Sequence, residues 1–396
     1  MEVSEQLRGD EARLAGVVRR AVGRAVEPGE WEVVRLTGGL GAASGGVFRL
    51  SGSGRNERGD DVDWAVVLKV VRRPEEGKAG SARAMQKEAL DYWRREPEVY
   101  GSGLLEGLPR GVRGPRCYGV EERGDGSVWM WLEDVRDRYG AVGQRWPAAR
   151  YVAAARHAGR LNGAHAAEKL PEQEWLCTDM LRDWCGRFAS ATERARDAAK
   201  WEHPLLLAAA ADARELGERV GELIERKERL FKALTRVPRA LGHQDYWRRN
   251  LLAAEGEGAA DGEEETVVVD WAVAGPGPLG AEVGTLISAS LAFAELGPEA
   301  VQEIEGRALE AYVAGLREAG WEGDVDMVRL GYAAATAIQW GTCPTWLGLL
   351  HDEKRHAWAE GFLGVAMPEV VACWIGLTRF TLARGEEALE MAGKWR

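Results

Sequence analysis

Gly242-His243-Gln244-Asp245-Tyr246-Trp247-Arg248-Arg249-Asn250, followed by Val267-Val268-Val269-Asp270-Trp271, is the stretch that decides how this chain is read. An Asp, an Asn five residues later and a second Asp closing an apolar run form a set suited to moving a phosphoryl group. One carboxylate orients a hydroxyl and takes its proton, while an amide and another carboxylate hold a hard cation such as magnesium. On this reading Asp245 is the catalytic carboxylate, and Asn250 and Asp270 are the metal ligands. The structural alternative makes Asp245 and Asn250 turn formers and Asp270 a strand end. The Gly-His before the first Asp and the Trp after the last favour the chemical reading. His243 is read as a scaffold that hydrogen-bonds the loop.

Upstream, residues 64–71 read as a strand whose core carries one charge, Lys69. A lysine in such a place needs a partner. A nucleotide phosphate and a helix carboxylate supply it, and Glu88 is the candidate, on a helix expected over residues 81–95 and stopped by Pro97. A Gly-rich run at 37–46 joins the two preceding strands, and its small residues, Gly39 and Gly41 among them, let backbone amides approach the phosphates of ATP. The run is not of the Walker type, which would end in Gly-Lys-Ser/Thr.

The 396 residues suit two lobes, and 45% hydrophobic with 29% charged residues describes a soluble protein with a large core. A net charge of -11 argues against a nucleic-acid partner, which asks for a basic stripe. There is no signal-peptide pattern in the charged first turn of the chain and no long apolar run, so no membrane partner is expected and the expected location is cytoplasmic. Cys117, Cys177, Cys185, Cys343 and Cys373 are scattered without a C-x-x-C pair and read as reduced core thiols. His157 and His165 lack an acidic partner at metal-ligand spacing and read as core or surface residues. The oligomeric state is not legible.

A helix is expected over residues 5–26 and strands at 31–36, 46–50, 64–71, 116–121 and 127–132. Residues 51–63, Gly-rich and charged, read as a long hairpin loop. After Val135, helical stretches at 147–167, 174–198, 203–235, 298–319, 326–341 and 352–393 are broken by one hairpin within 240–273. The acidic turn of that hairpin, 255–265, is expected to be exposed and mobile. The expected fold class is α+β: a nucleotide-binding lobe of antiparallel sheet over residues 1–134, and a larger helical lobe over 135–396 with the catalytic loop and the acceptor site. Most of the 17 tryptophans should be core anchors, with Trp340, Trp346, Trp358 and Trp374 as candidates for lining an acceptor pocket. Asp352 and Glu353 either greet a cationic acceptor or form a solvated helix face.

Lys69, Glu88, Gly242-His243-x-Asp245 with Asn250, and Val269-Asp270-Trp271, in this order, resemble the aminoglycoside phosphotransferase and choline kinase-like family. The resemblance implies a bilobal protein-kinase-like fold, ATP and Mg2+ as cofactors, and the hydroxyl of a small molecule as acceptor: an aminoglycoside, another antibiotic, an amino alcohol or a sugar. It matches Asp245 to the catalytic Asp, Asn250 and Asp270 to the magnesium ligands, Lys69 to the phosphate-pairing lysine and Glu88 to its partner. It also implies that backbone groups of Leu132, Glu133 and Val135 meet the adenine. The chain departs from the family pattern at Gln244, at Tyr246-Trp247-Arg248-Arg249, and at Glu282, which stands where an Asp usually supports the loop.

Two other readings compete. A protein kinase would show Asp-Phe-Gly and Ala-Pro-Glu, and neither is present at the second Asp. A catalytically silent nucleotide-binding scaffold has no need of Lys69, Asp245, Asn250 and Asp270 together.

Overall fold

Alternation shapes the N-terminal part. Val62, Trp64, Val66, Leu68 and Val70 are buried on one face of a strand, while Val67 and Lys69 turn to the other. The computed structural model describes residues 7–36, 43–75, 77, 80–140, 144–167, 173–255 and 264–394. Helix α1 (Glu11–Val22) precedes strands β1 (Val26–Arg35), β2 (Ser44–Asn56) and β3 (Asp61–Arg72). Helix α2 (Arg95–Gly101) and the short β4 (Val112–Arg113) lead to β5 (Cys117–Glu122) and β6 (Ser127–Glu133). Helices α3 (Ala148–Ala167), α4 (Met180–Arg187), α5 (Ala189–Ala195), α6 (Pro204–Ala209), α7 (Ala213–Glu225) and α8 (Lys227–Leu234) follow. Next come β7 (Arg239–Gly242), β8 (Leu251–Glu255), β9 (Glu264–Val268) and β10 (Gly275–Pro278). The last elements are α9 (Ala281–Ala292), α10 (Pro298–Glu318), α11 (Val325–Thr336), α12 (Trp346–Leu350), α13 (His356–Leu363) and α14 (Met367–Lys394).

The first sheet runs β1-β2-β3-β6-β5, antiparallel throughout. One face packs under α1, where Leu14, Val17 and Val18 meet Leu50, Val66, Leu68, Trp129 and Trp131. The other face brings Met130 and Leu132 into the large core that continues through the helices. Both faces are thus covered, which is why every residue of β6 before Glu133 is buried.

Two local expectations fail for physical reasons. Residues 51–63 are not a long loop: the β2–β3 ladder continues from Ser51↔Ala65 to Arg55↔Asp61, and the reversal is confined to the residues between Asn56 and Asp60. The glycines there serve close strand approach, since a Cβ at Gly52 or Gly54 would overlap the β1 carbonyls of Glu30 or Glu27. The helix expected over 81–95 is also absent. A single 3-10 turn (Arg83–Met85) is followed by turns, and α2 begins only at Arg95. Pro97 does not stop a helix but sits in the first turn of one, where its missing N–H has no intrahelical acceptor to lose.

In the helical part, α3 and α10 pack backbone to backbone. A Cβ at Gly159 would overlap Tyr312 O, and one at Gly315 would overlap Arg156 O. Helix α9 escaped the sequence reading because it is buried from Ala281 to Leu291, and a helix apolar all round shows no period. Two small sheets, β7–β10 and β4-β9-β8, hold the Gly242–Trp271 segment between the lobes. The acidic turn at 255–265 falls largely outside the described residues. Among the described residues no single helix is long and apolar enough to cross a membrane. Four of the five cysteines are buried and unbridged as expected, but Cys117, at the start of the edge strand β5, is exposed. Cys185 and Cys343 face each other at 3.7 Å.

Candidate active site

The connection from β7 to β8 places Asp245 and Asn250. Asn250 donates Nδ2–H to Asp245 Oδ2 at 2.8 Å and to Asp245 O at 2.9 Å, so its own amide oxygen is turned away from the aspartate. His243, fully buried, accepts the Asp245 N–H at Nδ1 (3.3 Å) and donates from Nε2 to Val269 O (3.0 Å). Burial pushes its pKa down to about 4, which keeps the imidazole neutral and able to play both roles. His243 is therefore a strut between the two aspartate-bearing segments, the role assigned from the sequence.

The loop is strained where it turns. Gln244 and Asp270 adopt φ of 66° and 63°, a region that non-glycine residues avoid at a cost on the order of 1 kcal/mol or more each. Neighbours hold Gln244 there: its N–H donates to Glu282 Oε1 (3.1 Å) and its side-chain amide to Gly275 O (2.9 Å). Glu282 is buried, and burial pushes its pKa up to about 7. Behind the loop, Asn162 donates to Leu241 O (2.9 Å), Tyr312 OH donates to Asn162 Oδ1 (2.7 Å), and Tyr246 OH donates to Ala154 O (2.9 Å).

Asp270 lies at the far end of β9 and meets Lys69 from β3. Lys69 Nζ is 2.9 Å from Asp270 Oδ1 and 2.5 Å from Glu96 Oε2. Burial alone would drive Lys69 down, but the two carboxylates outweigh it and hold its pKa above the ordinary lysine value. Burial likewise works to raise Asp270, and Lys69 overrides it, so Asp270 is held below the usual carboxylate range. Burial and the charge of Asp270 push Asp245 up to about 6. The Asp270 side chain keeps 38% of its surface open, and Asp245 is only half-buried, so both carboxylates have access to a ligand.

The partner of Lys69 is thus Glu96 and not Glu88. Glu88 is exposed in the turn before α2, where its backbone carbonyl accepts from Thr178 N. Glu96 sits in the first turn of α2 with a side chain 4% exposed. The error follows from Pro97: read as a helix stop, it hid the acidic residue just before it. Gly39 and Gly41 lie outside the described residues. Leu132 is buried within the sheet, and the β3–β6 ladder ends at Val66↔Glu133. The Glu133 carboxylate is held by the Arg113 guanidinium (2.6 and 3.1 Å), which leaves Val135 beyond the ladder.

Asn250 and Asp270 offer hard oxygen donors from neighbouring segments, tied together by Val269 N–H to Asn250 O at 2.9 Å. This donor set fits magnesium, which binds one or two protein oxygens and completes its shell with phosphate and water. Among the described residues no group of three His, Cys, Asp or Glu side chains could hold a metal by itself. His157 bonds Thr266 Oγ1 at 2.7 Å and His165 bonds Leu161 O at 3.0 Å, in keeping with non-ligand roles.

The tryptophans divide. Trp346 and Trp374 are core, stacked at 5.3 Å. Trp340 is half-buried, and Trp358 is 47% exposed and stacked on Phe362. Next to the loop, Trp247 packs on Phe293 at 4.4 Å, and the Arg249 guanidinium lies over Phe362 at 4.3 Å while pairing with Glu295 at 2.8 Å. Asp352 and Glu353 are exposed.

Residues 58–322, more than half of the chain, match the model of the phosphotransferase enzyme family, APH. No curated protein matches the chain. Among solved structures, the amicoumacin kinase hAmiN in complex with AMP-PNP, Ca2+ and Ami is similar at 13% identity over 98% of this chain and 96% of that one, with a TM-score of 0.48. A microcompartment-associated aminopropanol kinase is similar at 15% identity over 96% and 98%, with a TM-score of 0.49. The choline kinase of Cryptosporidium parvum Iowa II is similar at 12% identity over 97% and 96%, with a TM-score of 0.49. The architecture is α+β, a five-stranded antiparallel sheet followed by a mainly helical part. This chain belongs to the phosphotransferase enzyme family.

Proposed function

We propose that this protein transfers the γ-phosphoryl group of ATP to a hydroxyl of a small molecule. The observation that carries the reading is the convergence of four side chains from β3, the segment after β9 and the β7–β8 connection: Lys69 pairs with Asp270, Asn250 bonds Asp245, and the Asp270 charge acts on Asp245. Lys69, held charged, pairs with the phosphates. Asn250 and Asp270 would hold magnesium, which supplies neutralisation of phosphate charge. Asp245 orients the acceptor hydroxyl and takes its proton as the new P–O bond forms and the bond to the β-phosphate oxygen breaks, releasing ADP. Positioning and fixed charge supply the acceleration. The strut of His243 and the Asn250 amide fix the direction of the Asp245 carboxylate before substrate arrives.

The test is to incubate the purified protein with MgATP and panels of aminoglycosides, amino alcohols and sugars, and to follow ADP release. Acceptor-stimulated release that disappears in Asp245→Ala supports the reading. Nucleotide binding with no turnover on any acceptor overturns it in favour of a silent scaffold.

A further inference from the structure

Arg95 opens α2 and its side chain is fully buried. A guanidinium carries five N–H donors. Here they meet five backbone carbonyls: Nε donates to Trp175 O (2.6 Å), Nη1 to Leu90 O (3.1 Å) and Ala272 O (2.9 Å), and Nη2 to Lys87 O (2.8 Å) and Ala89 O (2.6 Å). Those carbonyls belong to three segments without regular structure: the turn at 87–90, the approach to α4, and the loop that follows Asp270. Burying a cation against carbonyl dipoles is costly unless every donor is used, and here every donor is.

The neighbour of Arg95 explains the arrangement. Glu96 takes Lys69 on its carboxylate, and Lys69 in turn holds Asp270. Two consecutive residues of α2 therefore reach the loop, Glu96 through Lys69 to Asp270 and Arg95 directly to Ala272 O. The same loop is braced from the other side, where Cys177 N donates to Ala274 O, and the next residue, Thr178, donates its N–H to Glu88 O in the 87–90 turn. The ring Lys69–Glu96–Arg95–Ala272–Asp270–Lys69 is closed by bonds alone.

We infer that Arg95 is a positioning residue that locks α2 to the Asp270 loop, so that Lys69, Glu96 and Asp270 are assembled before any ligand binds. The helix that carries the lysine's partner is then a fixed wall of the site, not an element that swings in on activation. This rests on the proposed phosphotransfer reading for its catalytic consequence, but the lock itself is a property of the free protein.

Arg95→Met removes all five of these hydrogen bonds and serves only to show whether the fold tolerates the loss. Arg95→Lys keeps a charge and three donors and carries the test. Without nucleotide, hydrogen exchange should speed up together in peptides covering 95–101 and 269–274, with α10 unchanged. With ATP and a working acceptor, the Mg2+ concentration for half-maximal ADP release should rise about tenfold, as for loss of other groups that orient a metal ligand, while the acceptor KM stays put. Exchange that is unchanged at 269–274, or raised evenly over the whole chain, overturns the lock. So does a fall in kcat with no change in the Mg2+ requirement, which a merely structural arginine would give. If the unaltered protein turns over no acceptor, the phosphotransfer reading fails and the exchange measurement still decides the lock.

Discussion

Lys69 and Asp270 stand 201 positions apart in the chain and 2.9 Å apart in space. The contact joins the sheet of one lobe to the hairpin of the other, and Glu96 completes it from a third segment. Lys69 is shared by the two carboxylates, so each of the three groups tests a different part of the proposal.

Asp245→Ala should lower kcat by a factor of about 10² to 10⁴, the usual contribution of a positioned acid–base group. Nucleotide affinity should be unchanged, because Asp245 bonds Asn250 and His243 and does not touch Lys69 by any direct bond. Isothermal titration with ADP alongside ADP-release kinetics reads both quantities. A loss of nucleotide binding equal to the loss of rate would place Asp245 in the nucleotide site instead.

Glu96→Gln and Glu88→Gln separate the structural pairing from the one expected in sequence. Gln at 96 keeps the size of the side chain but no longer balances Lys69. Losing a charged partner of this kind is worth about 1.5–3 kcal/mol, so the KM for ATP should rise about tenfold or more. Glu88 is exposed, and its substitution should leave the kinetics as they are. The reverse pattern would mean that α2 is displaced in the working enzyme.

Glu282→Gln should remove a pH dependence of stability. Burial raises the folded pKa of Glu282 from 4.5 to about 7, so the folded state binds its proton more tightly than the unfolded state does. For an acid shifted in this direction, stability is highest at pH values below the unfolded pKa, falls between about 4.5 and 7, and is level above. The total fall is about 3 kcal/mol at roughly 1.4 kcal/mol per pH unit. Glutamine keeps an acceptor for Gln244 N–H and cannot ionise. Urea unfolding at pH 5 and pH 8 should show the variant gaining on the parent protein only at the higher pH. An equal difference at both values would show that Glu282 does not titrate in this window.

Gly159→Ala should destabilise the fold by about 1–3 kcal/mol, the usual cost of overpacking, and Gly315→Ala by a similar amount. Each Cβ would overlap a carbonyl across the α3–α10 contact, where no flexible side chain can give way. The two helices also hold Asn162 and Tyr312 behind the loop that carries Asp245, so kcat should fall with stability. Thermal melts and ADP release measured on the same samples check this. Unchanged melting would mean that the helices part easily.

The grouping of Asp245, Asn250 and Asp270 was legible in the sequence because it is local. Gly-His-x-Asp with Asn250, and the apolar run into Asp270, place their polar groups by short-range geometry: a tight loop, a strand end and a hydrogen bond across five residues. Lys69 was legible for the same reason, as the one charge in an apolar alternation. The partner of that lysine was not. Glu88 and Glu96 both lie upstream of the same edge, and only the packing of Arg95 under three loops decides which one turns inward. Helix α9 was invisible for a related reason: burial on every side erases the periodic signal by which a helix is read.

The alternation of β3, the grouping of the two aspartates with the asparagine, and the lone lysine of the strand were thus determined by the sequence alone, through patterns that act within a few residues. The pairing of Lys69 with Glu96, the strain held in Gln244 by Glu282, and the grip of α2 on the Asp270 loop were decided only by tertiary structure. Each of these depends on which of several similar groups is shut away from water beside a charge. That outcome belongs to the whole packed chain, because burial and electrostatic balance are set by residues that the sequence keeps far apart.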